Sequence, residues 1–277
     1  MKLIGEESPK EMPFFDHIEE LRWRILRSLG AIILGAIVVA LNSKWVVDTL
    51  LLAPLKSDFF TFNMFNKLSH LVGGSDLYSG DFNIKLQNLD ISGQFSAFIW
   101  LSLVGGLIVS APYLFFEMWG FLKPALKESE RKMSGVFIFT AVVLFVLGVL
   151  FSYYFVVPLS VQFFYFFKLS DSIDNNFHLS SYVSMYIQSL LSMGLVFLMP
   201  LVMYFLTQMG VVTPKFLKEH RKHAFIVVLT IAAIITPSDM SSMVIASIPL
   251  WLLYEASVLV SVWVYKEPKA EVVPYKE

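Results

Sequence analysis

The amino-acid sequence predicts an all-α integral membrane protein with six transmembrane helices and with both termini in the cytoplasm. Three observations lead to this prediction: the composition, the apolar runs and the distribution of basic residues. Of the 277 residues, 56% are hydrophobic and 16% are charged, whereas soluble domains carry about 25% charged residues. The net charge of −1 offers no basic surface for nucleic acid. The chain has no cysteine, which excludes disulfides, thiolate metal sites and a cysteine nucleophile.

Six apolar runs are predicted to form the membrane spans. A helix needs about 20 residues to cross a hydrocarbon core of about 30 Å. The runs lie at residues 25–45, 95–116, 136–157, 182–209, 224–235 and 243–265. The fifth run corresponds to only about 18 Å of helix, so we expect it to tilt or to thin the bilayer. Pro158 is predicted to close the third span, and Pro200 to kink the fourth.

The orientation follows from the basic residues, which are enriched in cytoplasmic loops. They cluster in the N-terminal segment, between spans two and three, between spans four and five, and in the tail. The loops on the other side are longer and carry few lysines. We therefore expect one membrane domain over residues 1–277. Its cytoplasmic N-terminal segment is 1–24, its periplasmic loop is 56–94 and its cytoplasmic tail is 266–277.

The segment at residues 13–24 is predicted to be a short amphipathic helix that lies along the membrane surface and leads into the first span. Asp16 suits an N-cap, and Glu19 follows three residues later. Glu20 lies beyond this cap and has two interpretations. The favoured one is an ordinary pair with Arg24, one helical turn away. In the other interpretation, the Glu20 carboxylate binds a cation at the membrane surface.

The polar stretch at residues 116–132 is predicted to be a loop outside the membrane. Within this stretch, Glu130 has two interpretations. It is either an acid in the first turn of the next helix or a carboxylate at the edge of an apolar surface. The apolar surface consists of Phe121, Pro124 and Leu126. A carboxylate at the edge of an aromatic and proline surface suits an extended peptide that carries arginine.

Two further acids lie near the C-terminal spans. Glu255 is inside an apolar run, where an ionisable group is costly, which indicates function or polar packing. Asp239 lies in the turn between spans five and six and is predicted to cap the next helix. No catalytic motif and no group of residues at metal-ligand spacing is found in the sequence. We therefore expect no enzymatic activity, no metal and no cofactor.

Several motifs resemble the TatC family, the polytopic receptors of the twin-arginine protein translocation pathway. The resemblance covers nearly the whole chain, and its most specific block is residues 119–126, Trp-Gly-Phe-Leu-Lys-Pro-Ala-Leu, followed by Glu130 and Arg131. Other matching segments are 17–22, 53–55, 110–112, 236–239 and 248–249 with Glu255.

The resemblance implies a receptor and core subunit that binds twin-arginine signal peptides of folded proteins. It implies location in the cytoplasmic (inner) membrane, export driven by the proton-motive force, and assembly with TatA- and TatB-type single-span partners and with further copies of itself. The signal-peptide site it implies consists of Glu20, Phe121, Pro124, Leu126, Glu130 and Arg131. Other positions that match the family are Leu21, Arg22, Pro54, Asp239 and Glu255.

The chain departs from the family pattern at two positions. Leu198 stands where the family often has a glutamate before the proline of span four, and Met243 stands where some members have a glutamine. In place of these polar residues, Gln188, Gln208 or Thr207 would form the docking site for partner helices, with Met243 as a further docking position. The alternative function is a proton-coupled small-solute transporter, suggested by Glu255 and the proline-broken spans. A third alternative is a purely structural membrane scaffold.

Overall fold

The computed structural model is nearly all helical, and it describes residues 14–71, 73–75, 84–122, 134–172, 175–236 and 240–265. The α-helices are α1 Phe14–Leu41, α2 Ser43–Trp45, α3 Phe60–Leu71, α4 Gly93–Leu122, α5 Ser134–Phe151, α6 Val157–Phe166, α7 Leu179–Val196, α8 Met199–Gln208, α9 Pro214–Glu219, α10 Arg221–Ile235 and α11 Met240–Val264. Two π-helices, Val46–Leu51 and Ser152–Val156, and one 3₁₀ helix, Ala53–Leu55, join some of them. Strands β1 Leu86–Gln87 and β2 Phe177–His178 pair in parallel.

Five helical segments within the described residues are long and apolar enough to cross a membrane. They are Ile18–Leu41, Gly93–Phe121, Gly135–Phe166, Leu179–Gln208 and Met243–Val264. The predicted fifth span corresponds to α10, which has 15 residues and a length of about 22 Å. It is shorter than the other five, as the sequence predicts, and the count of six spans stays a prediction.

Several predicted boundaries are wrong. The predicted surface helix at residues 13–24 does not end before the first span, because α1 runs unbroken from Phe14 to Leu41. No proline interrupts this helix, and Asp16 lies inside it rather than at its cap. The stretch at residues 116–132 is not wholly a loop, since α4 continues to Leu122. Within residues 56–94, which are predicted to form an extramembrane loop, lies a 12-residue helix, α3.

The described residues fall into two compact units. The first contains the residues up to Ser43 together with Phe98–Val142, and the second contains Lys44–Ala97 and the residues from Val143 onward.

In the first unit, α1 and α4 approach each other backbone to backbone. A Cβ atom added to Gly35 would lie 2.7 Å from the carbonyl oxygen of Gly106, and one added to Gly106 would lie 2.8 Å from that of Ile32. Small residues allow membrane helices to pack this closely. The side chain of Val39 fills the space beside Gly105 one turn further along. The glycines therefore place α1 directly against α4.

In the second unit, Pro158 does not end the third span. It lies in the first turn of α6, directly after a π-helix, and the helical segment continues to Phe166. Proline has no N–H, so residue 158 cannot bond the carbonyl of Tyr154. The hydroxyl of the buried Thr61 donates to that carbonyl instead. A side chain from α3 thus replaces the missing backbone bond.

A similar arrangement holds the first π-helix. The hydroxyl of Tyr182 on α7 donates a hydrogen bond of 2.6 Å to the carbonyl of Leu51. Both residues are buried. Pro54, one of the positions that match the family, lies fully buried in the adjoining 3₁₀ helix. Among the described residues, Pro54 packs in the interior and restricts the backbone conformation of this turn.

The apolar core of the second unit surrounds α11. Residues of this helix pack with Met193 of α7, Leu217 of α9 and Ala232 of α10. The hydroxyl of Tyr254 donates to the carbonyl of Leu217 at 2.7 Å. As predicted, the fourth span is broken near Pro200: α7 ends at Val196, and Pro200 lies in the first turn of α8.

Candidate functional site

A polar cluster of the first unit lies where the N-terminal part of α1 meets the C-terminal part of α4. Glu20 belongs to the second turn of α1, and its side chain is 26% exposed. Its Oε1 atom accepts hydrogen bonds from Nε and Nη2 of Arg24, at 3.0 and 2.5 Å. The favoured interpretation of Glu20, a pair with Arg24, is confirmed. The carboxylate nevertheless remains reachable from outside the protein.

Arg24 does more than pair with its neighbour on α1. Its Nη1 atom donates to Oε2 of Glu117 at 3.1 Å and to the backbone carbonyl of Glu117 at 3.3 Å. The guanidinium therefore joins two carboxylates that belong to different helices. A Cβ atom added to Gly120 would overlap this guanidinium. The glycine of the Trp-Gly-Phe block leaves the space that Arg24 occupies.

Glu117 is the functional candidate that reasoning from the sequence missed. Its side chain is only 3% exposed. Its Oε1 atom accepts a hydrogen bond of 2.7 Å from the hydroxyl of Tyr113 and lies 3.5 Å from Nη1 of Arg27. A buried carboxylate is tolerated when several donors surround it, which explains why α4 continues through this charge. The available signals were Tyr113 four residues before Glu117 and the three-residue spacing of the arginines, but neither shows that α1 and α4 are neighbours.

The charges of this cluster balance. Two carboxylates, Glu20 and Glu117, face two guanidiniums, Arg24 and Arg27. Among the described residues, the bonds of Glu20 all involve its Oε1 atom, so Oε2 remains available to a donor. Since a carboxylate oxygen accepts strong, charge-assisted hydrogen bonds from a guanidinium group, the cluster is suited to binding an arginine side chain. Nothing in it indicates a chemical reaction.

The structure describes only some of the other predicted site residues. Leu21 and Arg22 are exposed on α1. Phe121 is half-buried in the last turn of α4, and Trp119 beside it is buried against Phe137, with ring centroids 4.4 Å apart. The predicted residues Pro124, Leu126, Glu130, Arg131 and Asp239 lie outside the residues that the structure describes. The structure therefore places Glu20 and Phe121 but does not test their association with Glu130.

Glu255 makes an ion pair in the second unit. Its Oε2 atom accepts a hydrogen bond of 2.7 Å from Nη2 of Arg221, the first residue of α10. This is the bond to a neighbouring helix that the polar-packing interpretation of Glu255 requires. The ion pair with Arg221 gives the Glu255 carboxylate a partner within the apolar run, so no transported ion is needed to account for it.

Three of the predicted docking positions have different surroundings. Nε2 of Gln188 donates to the carbonyl of Ile234 at 3.3 Å. The Oε1 atom of Gln208 is buried and has no hydrogen-bond partner among the described residues. Met243 is half-buried against the apolar core of the second unit. Among the described parts of the chain, no group of three or more potential metal ligands is found.

Comparison with known proteins identifies the family. Residues 16–249 match the family described as Sec-independent protein translocase protein (TatC). The chain is 42% identical over 259 residues to the Sec-independent protein translocase protein TatC of Blattabacterium sp. subsp. Periplaneta americana (strain BPLAN), covering 93% of this chain and 97% of that one. It is 30% identical over 248 residues to the TatC of Aquifex aeolicus (strain VF5), covering 89% and 93%.

Comparison with solved structures leads to the same family. A crystal structure of the twin-arginine translocase receptor TatC superposes with a TM-score of 0.68 at 28% sequence identity, covering 90% of this chain and 99% of that one. A second crystal structure of this receptor, in the detergent DDM, gives a TM-score of 0.69. The family match spans most of the helices described above, including both sides of the Glu20–Glu117 cluster, and the chain therefore belongs to the TatC family of Sec-independent protein translocase proteins.

Proposed function

We propose that this protein is the receptor subunit of a twin-arginine translocase. In this role it binds signal peptides with two consecutive arginines on folded proteins and takes part in their export across the cytoplasmic membrane, driven by the proton-motive force. Two facts support the proposal. The chain belongs to a family of protein translocase components, and the solved structure that it resembles is that of the twin-arginine translocase receptor TatC.

The observation that carries the proposal is the partly exposed carboxylate of Glu20, which already binds a guanidinium. The proposed peptide site consists of Glu20, Phe121, Pro124, Leu126, Glu130 and Arg131. In it, the two carboxylates receive the two arginines, and the apolar residues receive the hydrophobic side chain that follows them. Two forked contacts to carboxylates favour arginine over lysine.

Site-specific crosslinking of a twin-arginine peptide to the purified protein tests the proposal. We expect Glu20→Gln and Glu130→Ala to reduce the crosslinks strongly, and a peptide with two lysines in place of the arginines to crosslink weakly to the unchanged protein. Glu19→Gln is the matched control, because Glu19 is exposed and adjacent but belongs to another face of α1. Undiminished crosslinking of the Glu20 and Glu130 variants would contradict the assigned site.

We further propose six spans, with α10 as the short fifth span and both termini in the cytoplasm. Because the chain has no cysteine, single introduced cysteines can be labelled without background. A membrane-impermeant maleimide added to intact cells should label Ser170→Cys but not Lys269→Cys. Labelling of residue 269 in intact cells would contradict the proposed orientation.

Single-span TatA- and TatB-type proteins are the proposed partners, together with further copies of the chain. Gln188, Gln208 and Met243 are the proposed docking positions, and Gln208 has the strongest physical support because its buried Oε1 atom lacks a donor. Gln208→Leu should reduce co-purification of the single-span proteins, whereas Ser170→Ala should not. Equal recovery with both variants would exclude Gln208 from the docking surface.

A further inference from the structure

We infer that Arg24 is an internal arginine that occupies Glu20 in the resting protein, and that a peptide guanidinium binds by displacing Arg24 onto Glu117. The inference rests on the proposed function, because it assumes that Glu20 receives an arginine of the peptide. It adds an exchange step and two positioning residues, Arg24 and Glu117. Neither position belongs to the peptide site proposed above.

The bonds of Arg24 are divided between two carboxylates. Its Nε and Nη2 atoms donate to Glu20, while its Nη1 atom donates to the carboxylate and the backbone carbonyl of Glu117. If the contact with Glu20 breaks, Arg24 keeps both bonds to Glu117. The displaced cation is therefore never left unpaired, which is the condition for an exchange at low free-energy cost.

The difference in exposure decides which carboxylate the peptide reaches. The side chain of Glu20 is 26% exposed and that of Glu117 is 3% exposed, while Arg24 lies between them at 19%. An arginine that arrives from water can contact Glu20 but not Glu117. Tyr113 and Arg27 also donate to Glu117 or lie close to it, and they hold this carboxylate in place for Arg24.

The charge balance favours displacement of Arg24, although Oε2 of Glu20 by itself is able to accept one hydrogen bond. With Arg24 on Glu20, the cluster of two carboxylates and two guanidiniums has no net charge to attract a cation. When Arg24 and Arg27 both pair with Glu117, the carboxylate of Glu20 becomes free. A lysine offers one ammonium in place of the forked N–H groups that Arg24 presents, so it competes less well for Glu20. The exchange thus adds selectivity for arginine.

Peptide affinity of Arg24 variants tests the inference. The full-length protein in nanodiscs is titrated with a fluorescent peptide that carries two consecutive arginines, and binding is followed by anisotropy. Removal of an internal competitor raises the fraction of binding-competent protein, so Arg24→Gln should tighten binding by about two- to five-fold, the range expected for a partly exposed ion pair. The gain should vanish when Glu20→Gln is also present, because no carboxylate is then released.

Arg27→Gln is the matched control. It removes the same charge one turn further along α1, but Arg27 contacts Glu117 and not Glu20. A general electrostatic effect would tighten binding equally in both variants, whereas the exchange predicts a clearly larger gain for Arg24→Gln. If Arg24→Gln is unstable, Arg24→Gln with Glu117→Gln removes the unpaired buried charge and should show the same gain.

The outcomes separate the two proposals. Equal effects of Arg24→Gln and Arg27→Gln, weaker binding in both Arg24 variants, or a gain that persists without Glu20 would overturn the exchange while leaving the receptor function intact. If the unchanged protein binds the arginine peptide and a matched lysine peptide equally, and Glu20→Gln changes neither, the receptor function fails and the exchange fails with it.

Discussion

The guanidinium of Arg24 donates a hydrogen bond of 3.1 Å to the carboxylate of Glu117, although 93 positions separate the two residues. The bond joins α1 to α4 near one end of both helices, and the close contact of Gly35 with Gly106 joins them further along. One contact is ionic and the other is a backbone contact. Together they set the position of Glu20, which belongs to the same helix as Arg24.

Glu117→Ala should destabilise the protein by about 3 kcal/mol, because it leaves Arg24 without its buried partner. Tyr113→Phe is the matched control, since it removes only one hydrogen bond to the same carboxylate and should cost about 1 kcal/mol. Thermal unfolding of the purified protein in detergent measures both variants. Equal midpoints for Glu117→Ala and the unchanged protein would show that the ion pair does not hold α1 to α4.

Gly106→Ala should also destabilise the protein, by about 1–3 kcal/mol, because the added Cβ would press on the backbone of α1. Gly30→Ala has the opposite expectation. An added Cβ at Gly30 meets nothing within 4 Å, and alanine favours a helix over glycine by about 0.5–1 kcal/mol. Unfolding midpoints that move in the same direction for both variants would contradict the close approach at Gly106.

Tyr182→Phe should cost about 1–3 kcal/mol, because the buried carbonyl of Leu51 loses its donor. Tyr186→Phe is the control one helical turn away. Tyr186 is also buried, but its hydroxyl makes no hydrogen bond among the described residues. The two variants remove the same atom from the same helix, so a comparison of their unfolding midpoints isolates the bond. Similar losses in both would argue against it.

Thr61→Val should destabilise the second unit by about 1–3 kcal/mol, since the carbonyl of Tyr154 then loses the hydroxyl donor of Thr61. In a Pro158→Ala background the loss should be smaller, because an alanine at this position has an N–H that is able to bond that carbonyl. Unfolding midpoints of the two single variants and the double variant give the coupling between these positions. Additive losses would show that Thr61 does not substitute for the missing backbone bond.

Glu255→Arg should lower the yield of folded protein, because it places two arginines together on α10 and α11. The exchanged pair, Arg221→Glu with Glu255→Arg, should recover the yield and the export of a twin-arginine cargo. The expected loss is about 1 kcal/mol, since both side chains are partly exposed. Folded yield restored without export would instead assign Glu255 a role beyond packing.

The sequence was sufficient to predict what depends on composition and on short-range pattern. Apolar runs predicted the positions of the main helices because every backbone group in a bilayer must bond within its own segment. The length of its apolar run predicted the short helix at residues 224–235, and proline's lack of an N–H predicted the break near Pro200. The motif at residues 119–126 indicates the family without knowledge of the fold, because its residues are contiguous in the sequence.

Only the tertiary structure revealed contacts between segments far apart in the chain. Pro158 was predicted to end a span, but Thr61 from another helix supplies the bond that proline lacks, and the helix continues. Glu117 was assigned to a loop, but arginines on α1 neutralise it, and it is buried within α4. The pair of Glu20 with Arg24 was predictable from a spacing of four residues. The link from Arg24 to Glu117 was not, because a charge pattern does not specify which helices pack together.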